Sequence, residues 1–198
     1  MQRCRRFVWS VLAMPLMAAG CDAAVELEEP VGVATQALSR PRVPDVPAAL
    51  KVPDGNQLSF VADAEGVQVY VCTAGENGAA PTWVFERPDA LLFGKWGRVI
   101  GHHYEGPTWE GLDDSFVAAS EPVRYPVDGA IPWLRLRATG LGGDGMFSKV
   151  TYIQRLNTEQ GLQPSTECDQ RSVGVHVRVP YTATYYFYTA ANSGRPRH

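Results

Sequence analysis

The chain has little helical patterning, little basic charge and few cysteines. Across its 198 residues, apolar side chains almost never recur at the 3.6-residue period of a helix, which excludes a helical bundle and the strand-helix alternation of α/β folds. No glycine-rich turn joins a strand to a helix, so a dinucleotide-dependent dehydrogenase is not expected. Gly140 to Gly145 carries glycines, but Asp144 among them would repel phosphate and a strand pattern follows. No Gly-x-Ser-x-Gly elbow occurs in residues 21–198, and no other serine or cysteine stands out as a nucleophile. Lys and Arg total 18 against 21 Asp and Glu, a formal net charge of -3, and they are scattered among carboxylates. Nucleic acid is therefore not an expected partner, since phosphate binding needs a basic stripe.

What is present begins with the first 21 residues. Arg3, Arg5 and Arg6 precede an apolar run from Phe7 to Met17, and Ala18, Ala19 and Gly20 supply small residues for cleavage, so residues 1–20 read as an export signal peptide. The run is too short to span a membrane. Leu16-Met17-Ala18-Ala19-Gly20-Cys21 resembles the lipobox of bacterial lipoproteins. That resemblance implies that Cys21 is lipidated, becomes the mature N-terminus, and anchors the protein to a cell-envelope membrane, where two or more acyl chains hold firmly. Asp22 resembles the inner-membrane retention signal of enteric bacteria. Losing residues 1–20 removes three arginines and no acid, taking the charge from -3 to -6.

Residues 21–47 are rich in Ala, Val, Glu and Pro, with Pro30, Pro41, Pro44 and Pro47 interrupting any helix. They are expected to be an extended linker. A single domain is expected over 48–190, with a flexible tail over 191–198. With Cys4 in the signal and Cys21 lipidated, Cys72 and Cys168 remain as a disulfide or as two separate buried thiols. A bridge would close a loop of about 96 residues and stabilise the fold by roughly 4 to 5 kcal/mol.

Within the domain the pattern is period-two alternation broken by Gly, Pro and Asp turns. Strands are expected at Val67 to Cys72, Thr82 to Glu86, Arg98 to Tyr104, Ser115 to Ala119, Trp133 to Ala138, Phe147 to Leu156, Val173 to Val179 and Tyr181 to Tyr188. About eight or nine strands without crossover helices predict an all-β fold: an antiparallel β-sandwich, a jelly roll or a closed barrel. Pro81-Thr82-Trp83 and Pro107-Thr108-Trp109 repeat one tripeptide, which reads as a recurrent way of opening a strand rather than a duplication.

Gly101-His102-His103-Tyr104-Glu105-Gly106-Pro107-Thr108-Trp109-Glu110 stands with Gly66 to Cys72, Ala130 to Leu134, Thr151 to Thr158 and Val179 to Ala183. This set resembles an uncharacterised family of secreted bacterial and fungal proteins, a domain of unknown function, over nearly all of Pro44 to Tyr188. Some fungal members carry the label malate dehydrogenase, which the missing dinucleotide signature does not support. The resemblance implies no activity.

The chemistry must then come from the residues. His102 and His103 are adjacent on a strand, so they point to opposite faces. His103 shares a face with Glu105, and with Glu110 could form a His/carboxylate catalytic pair. His102, His103, Asp113, Asp114 and His176 are the candidate metal ligands, though their spacing matches no established motif, and no cofactor is otherwise expected. The opposing readings are a His103 buried beneath an aromatic and bonded to backbone at the Gly106-Pro107 turn, and an Asp113-Asp114-Ser115 turn that bonds its own backbone. Trp96, Trp109 and Tyr104 are candidates for an exposed aromatic platform facing an envelope glycan or peptide, against the alternative of core packing. Three functions follow: a lipid-anchored envelope binding module as the leading reading, an enzyme centred on His103 as the alternative, and a purely structural envelope protein as the third.

Overall fold

β-branched and aromatic residues in alternation, punctuated by turn formers, build strands and little else. The computed structural model of the chain describes residues 41–191. Cys21, the signal and most of the linker lie outside the described residues. Eight strands are present among the described residues: β1 Asn56–Thr73, β2 Thr82–Phe93, β3 Val99–Tyr104, β4 Thr108–Gly111, β5 Phe116–Val127, β6 Ala130–Gly142, β7 Val150–Gln160 and β8 His176–Ala190. The described residues contain no α-helix, only three short 3-10 turns. Every pairing is antiparallel between chain neighbours, and β8 returns to β1, so one sheet closes on itself as a ring. Of the expected all-β architectures this is the barrel-like one. A jelly roll needs Greek-key crossovers, and the strand order has none.

Three boundaries differ from expectation. The valine strand and the tyrosine strand are one element, β8, which starts at His176 and runs through Pro180. Pro180 is tolerated because it lies beyond the last β7 pairing, Gln160 with Tyr181, so its missing N–H removes no bond to β7. β4, only four residues long, is an additional strand, opened by Thr108-Trp109 as β2 is opened by Thr82-Trp83. The packed domain also begins before Ala48. Val46 and Leu50 lie on the outside of the ring against Leu156, Val123, Trp133 and Tyr186. Gln154 locks that segment down, donating to the Leu50 carbonyl at 2.7 Å while accepting from the Tyr188 hydroxyl at 2.7 Å.

The interior is filled at one end and hollow at the other. Phe60 stacks on Phe187 at 4.5 Å, and Phe147 meets both rings edge-on at 5.4 and 5.1 Å. At the opposite end, segment 161–175 folds against β1 and β2. It is held there by the Cys72–Cys168 disulfide, by Tyr70 donating to the Gly161 carbonyl at 2.7 Å, and by Trp83 donating to the Thr166 carbonyl at 2.9 Å. Gly161 sits at φ +76°, where a Cβ would come within 2.8 Å of the Tyr181 Cβ and 3.1 Å of Ile131. Gly161→Ala is expected to lower the unfolding free energy by about 2 to 4 kcal/mol, combining left-handed strain with overpacking. Gly55→Ala, at φ +83° with no atom near the added Cβ, carries the strain alone. Urea unfolding of both variants checks this; equal losses would contradict it.

Candidate functional site

The hollow end is built by strand parity and three bulges. Along β1, Gln68, Tyr70 and Cys72 point inward, while Val67 and Val71 face out. Opposite Tyr70, β2 has an extra residue at Glu86, since Val69 pairs with Arg87 and Tyr70 with Phe85. β5 bulges between Ser120 and Val123, with Glu121 at φ +55°, and β7 bulges after Leu156, with Asn157 at φ +50°. Bulges bend strands and open the ladder locally, and they collect beside functional sites. Here the bulges at Glu86 and Glu121 border a cavity of about 490 Å3. That volume falls within the range of small-molecule pockets.

Apolar side chains such as Ile131, Leu134 and Leu136 form much of its wall. Set among them is Arg155, 8% exposed, whose Nη2 donates to the Pro132 carbonyl at 2.9 Å. Among the described residues no carboxylate pairs with this guanidinium, and its Nε has no acceptor. Gln68 Nε2 and Trp109 Nε1 also line the cavity or its floor, buried and without partners, and the buried Tyr185 hydroxyl lies within reach of Tyr181 and Arg155. Burial raises the pKa of the Tyr185 hydroxyl, and the positive Arg155 together with hydrogen bonding to Tyr181 and Arg155 opposes that rise. Buried polar groups are ordinarily bonded, so a cluster of unbonded ones around a cavity points to something that fits there.

His103 faces this interior, 2% exposed, with its ring stacked on Trp109 at 4.3 Å and edge-on to Tyr185 at 5.2 Å. Its Nδ1 lies 2.8 Å from the Thr108 carbonyl, which can only accept, so Nδ1 carries a proton. Burial pushes its pKa down to about 3, partly offset by the Thr108 bond and reinforced by the positive charge of Arg155.

The expected catalytic and metal constellations do not assemble. His102 points outward, as the alternation requires, with Nε2 at 3.0 Å from Asp89. Arg178, bonded to Asp89 at 2.7 Å, and then His102 hold that carboxyl below the usual range. Glu110 accepts from the Tyr104 hydroxyl at 2.8 Å on the outer face, and Glu105 is exposed in the β3–β4 turn, so neither reaches His103. His176 pairs with Glu86 at 3.2 Å on the surface. Asp113 is a turn staple: it accepts from Ser115 Oγ at 2.6 Å, Ser115 N at 3.1 Å and Met146 N at 2.8 Å. The Ser115 hydroxyl, then Met146 N–H, hold its carboxyl below the ordinary value. Asp114 occupies the left-handed region at φ +61° in the same turn. Among the described residues no three His, Cys, Asp or Glu side chains form a group that could hold a metal ion.

The aromatic candidates are separated as well. Trp109 is 1% exposed and inside the ring, Tyr104 is half-buried on the outer face, and Trp96 is 81% exposed in a turn with Lys95 Nζ 4.9 Å above its ring. They form no common platform. The sequence carries no clear signal for Arg155: it shares strand parity with Ile153 but also with Thr151, Asn157 and Glu159, so alternation does not mark its face as the inside.

No curated protein and no solved structure matches the chain. Residues 53–189, nearly the whole ring, match the family described as "Protein of unknown function (DUF3455)", and the chain belongs to that family.

Proposed function

We propose that the protein is a binding module that takes one small organic molecule into the hollow end of the ring, held at a bacterial cell-envelope membrane by lipidated Cys21. The observation that carries this is the cavity of about 490 Å3 with buried, partnerless polar side chains among its apolar walls. The lipobox-like segment supports the anchoring, and the Cys72–Cys168 bridge supports an oxidising compartment. Dispersal of Trp96, Tyr104 and Trp109 moves the site from an outer face to the interior, so an envelope glycan or peptide would enter only by an end group. An enzyme would need a carboxylate beside His103, whereas Glu105 and Glu110 lie outside the ring.

The test is a fluorescence titration with the neutral apolar probe N-phenyl-1-naphthylamine. Saturable one-to-one binding is expected in the native protein. Ser120→Trp, which adds an indole at the cavity wall, is expected to weaken it at least tenfold while leaving the circular dichroism unchanged. Binding that is unaltered by the added ring would place the probe elsewhere and contradict the proposal.

A further inference from the structure

The unpartnered buried nitrogens at the cavity are all hydrogen-bond donors. Of the orphaned atoms at the cavity, Arg155 Nε, Trp109 Nε1 and Gln68 Nε2 can only donate. A neutral polar ligand would satisfy such a set poorly, because it brings donors of its own. Arg155 adds a full positive charge with no carboxylate partner among the described residues, and burying an unpaired charge is costly unless a counter-ion arrives. A guanidinium that cannot lose its proton has one inexpensive remedy, an anion with paired oxygens. The charged side chains nearer the solvent are Arg124, Glu86 and Glu121, and Glu86 is engaged by Arg87 and His176, so the rim adds no strong field of either sign. Ile131, Leu134 and Leu136 offer the remaining space to an apolar body.

Resting on the interior-site reading above, we infer that the ligand is an organic carboxylate with an apolar body, its head group bound by Arg155 and its body against the Leu134 and Leu136 wall. Arg155 reaches the cavity floor from β7, beside the bulge at Asn157, and the Pro132 carbonyl holds the guanidinium in place through Nη2. That contact leaves the Nε edge free for the ligand.

The experiment is isothermal titration of the purified full chain with naphthalene-2-carboxylate and with naphthalene-2-carboxamide, which match in shape and differ in charge. The carboxylate is expected to bind at least tenfold tighter. Arg155→Met is expected to bring the two within twofold of each other, and Arg155→Lys, which keeps the charge, to retain at least a threefold preference. If Arg155→Met fails to fold by circular dichroism, the wild-type ratio and the lysine variant decide. Equal binding of the two compounds by the wild type would overturn the carboxylate inference and leave the interior site standing. Binding of neither would overturn both.

Discussion

Replacing Cys72 and Cys168 together by alanine is expected to lower the unfolding free energy by roughly 4 to 5 kcal/mol, with a fall in Tm on the order of 10 °C. The bridge joins residues 96 positions apart, and a loop of that length frees much chain entropy in the unfolded state once it is opened. It also ties segment 161–175 to β1, where Cys72 is buried with Tyr70 and Trp83. Alanine is the right replacement because serine would leave a hydroxyl in that apolar cluster. Urea unfolding of the oxidised protein, the reduced protein and the double variant measures the effect. Reduced wild type and variant should agree, and the variant should not respond to reductant. An unchanged midpoint would mean that the ring and the loop contacts of Tyr70 and Trp83 hold the segment without the bridge.

Acidification is expected to destabilise the protein through His103 well before its carboxylates titrate. The folded state keeps the ring neutral down to about pH 3, while the unfolded chain protonates it at its ordinary value of 6.5. Between those values the unfolded state binds the extra proton, so stability is complete above about pH 6.5 and is lost as pH falls toward 3. The loss is about 2 kcal/mol at pH 5 and about 3 kcal/mol at pH 4. His103→Asn offers an amide in place of the ring donor and cannot titrate. It should be less stable than wild type at pH 7.5, having lost the Trp109 stack, yet its unfolding free energy should change much less between pH 7 and pH 4.5. Parallel pH profiles for the two proteins would show that His103 is not the group responsible.

Much of the strand content was legible because alternation and turn residues are local properties. Val177 and Val179, and then Tyr181, Ala183, Tyr185 and Phe187, all face inward on one continuous strand. Which face is the inside was not legible. Leu91 and Phe116 are exposed, whereas Gln68, His103 and Arg155 are buried. Hydrophobic alternation marks the inner face only when the interior is apolar throughout, and the hollow end of this ring sets Gln68, His103 and Arg155 among its apolar side chains. The bulges at Glu86, Glu121 and Asn157 shift parity without a turn signature, so the chain offers no sign that Arg155 converges with His103 and Tyr185. The His and Asp candidates carried correct local readings: His103 under an aromatic and bonded to a carbonyl, Asp113 stapling its own turn. Pairing them into a site required knowing that His102 and Glu110 lie on the outer face, which follows from ring closure.

The interior site is tested most directly by locating a bound probe through NMR chemical shifts of the isotope-labelled protein titrated with naphthalene-2-carboxylate. The expected result is a saturable set of shifts confined to the hollow end, at His103, Trp109, Ser120, Leu136 and Tyr185, with the Arg155 Nε–H resonance moving the most. Shifts confined to the outer surface, around Trp96 or the Asp89–His102 patch, or no saturable shift at all, would contradict it.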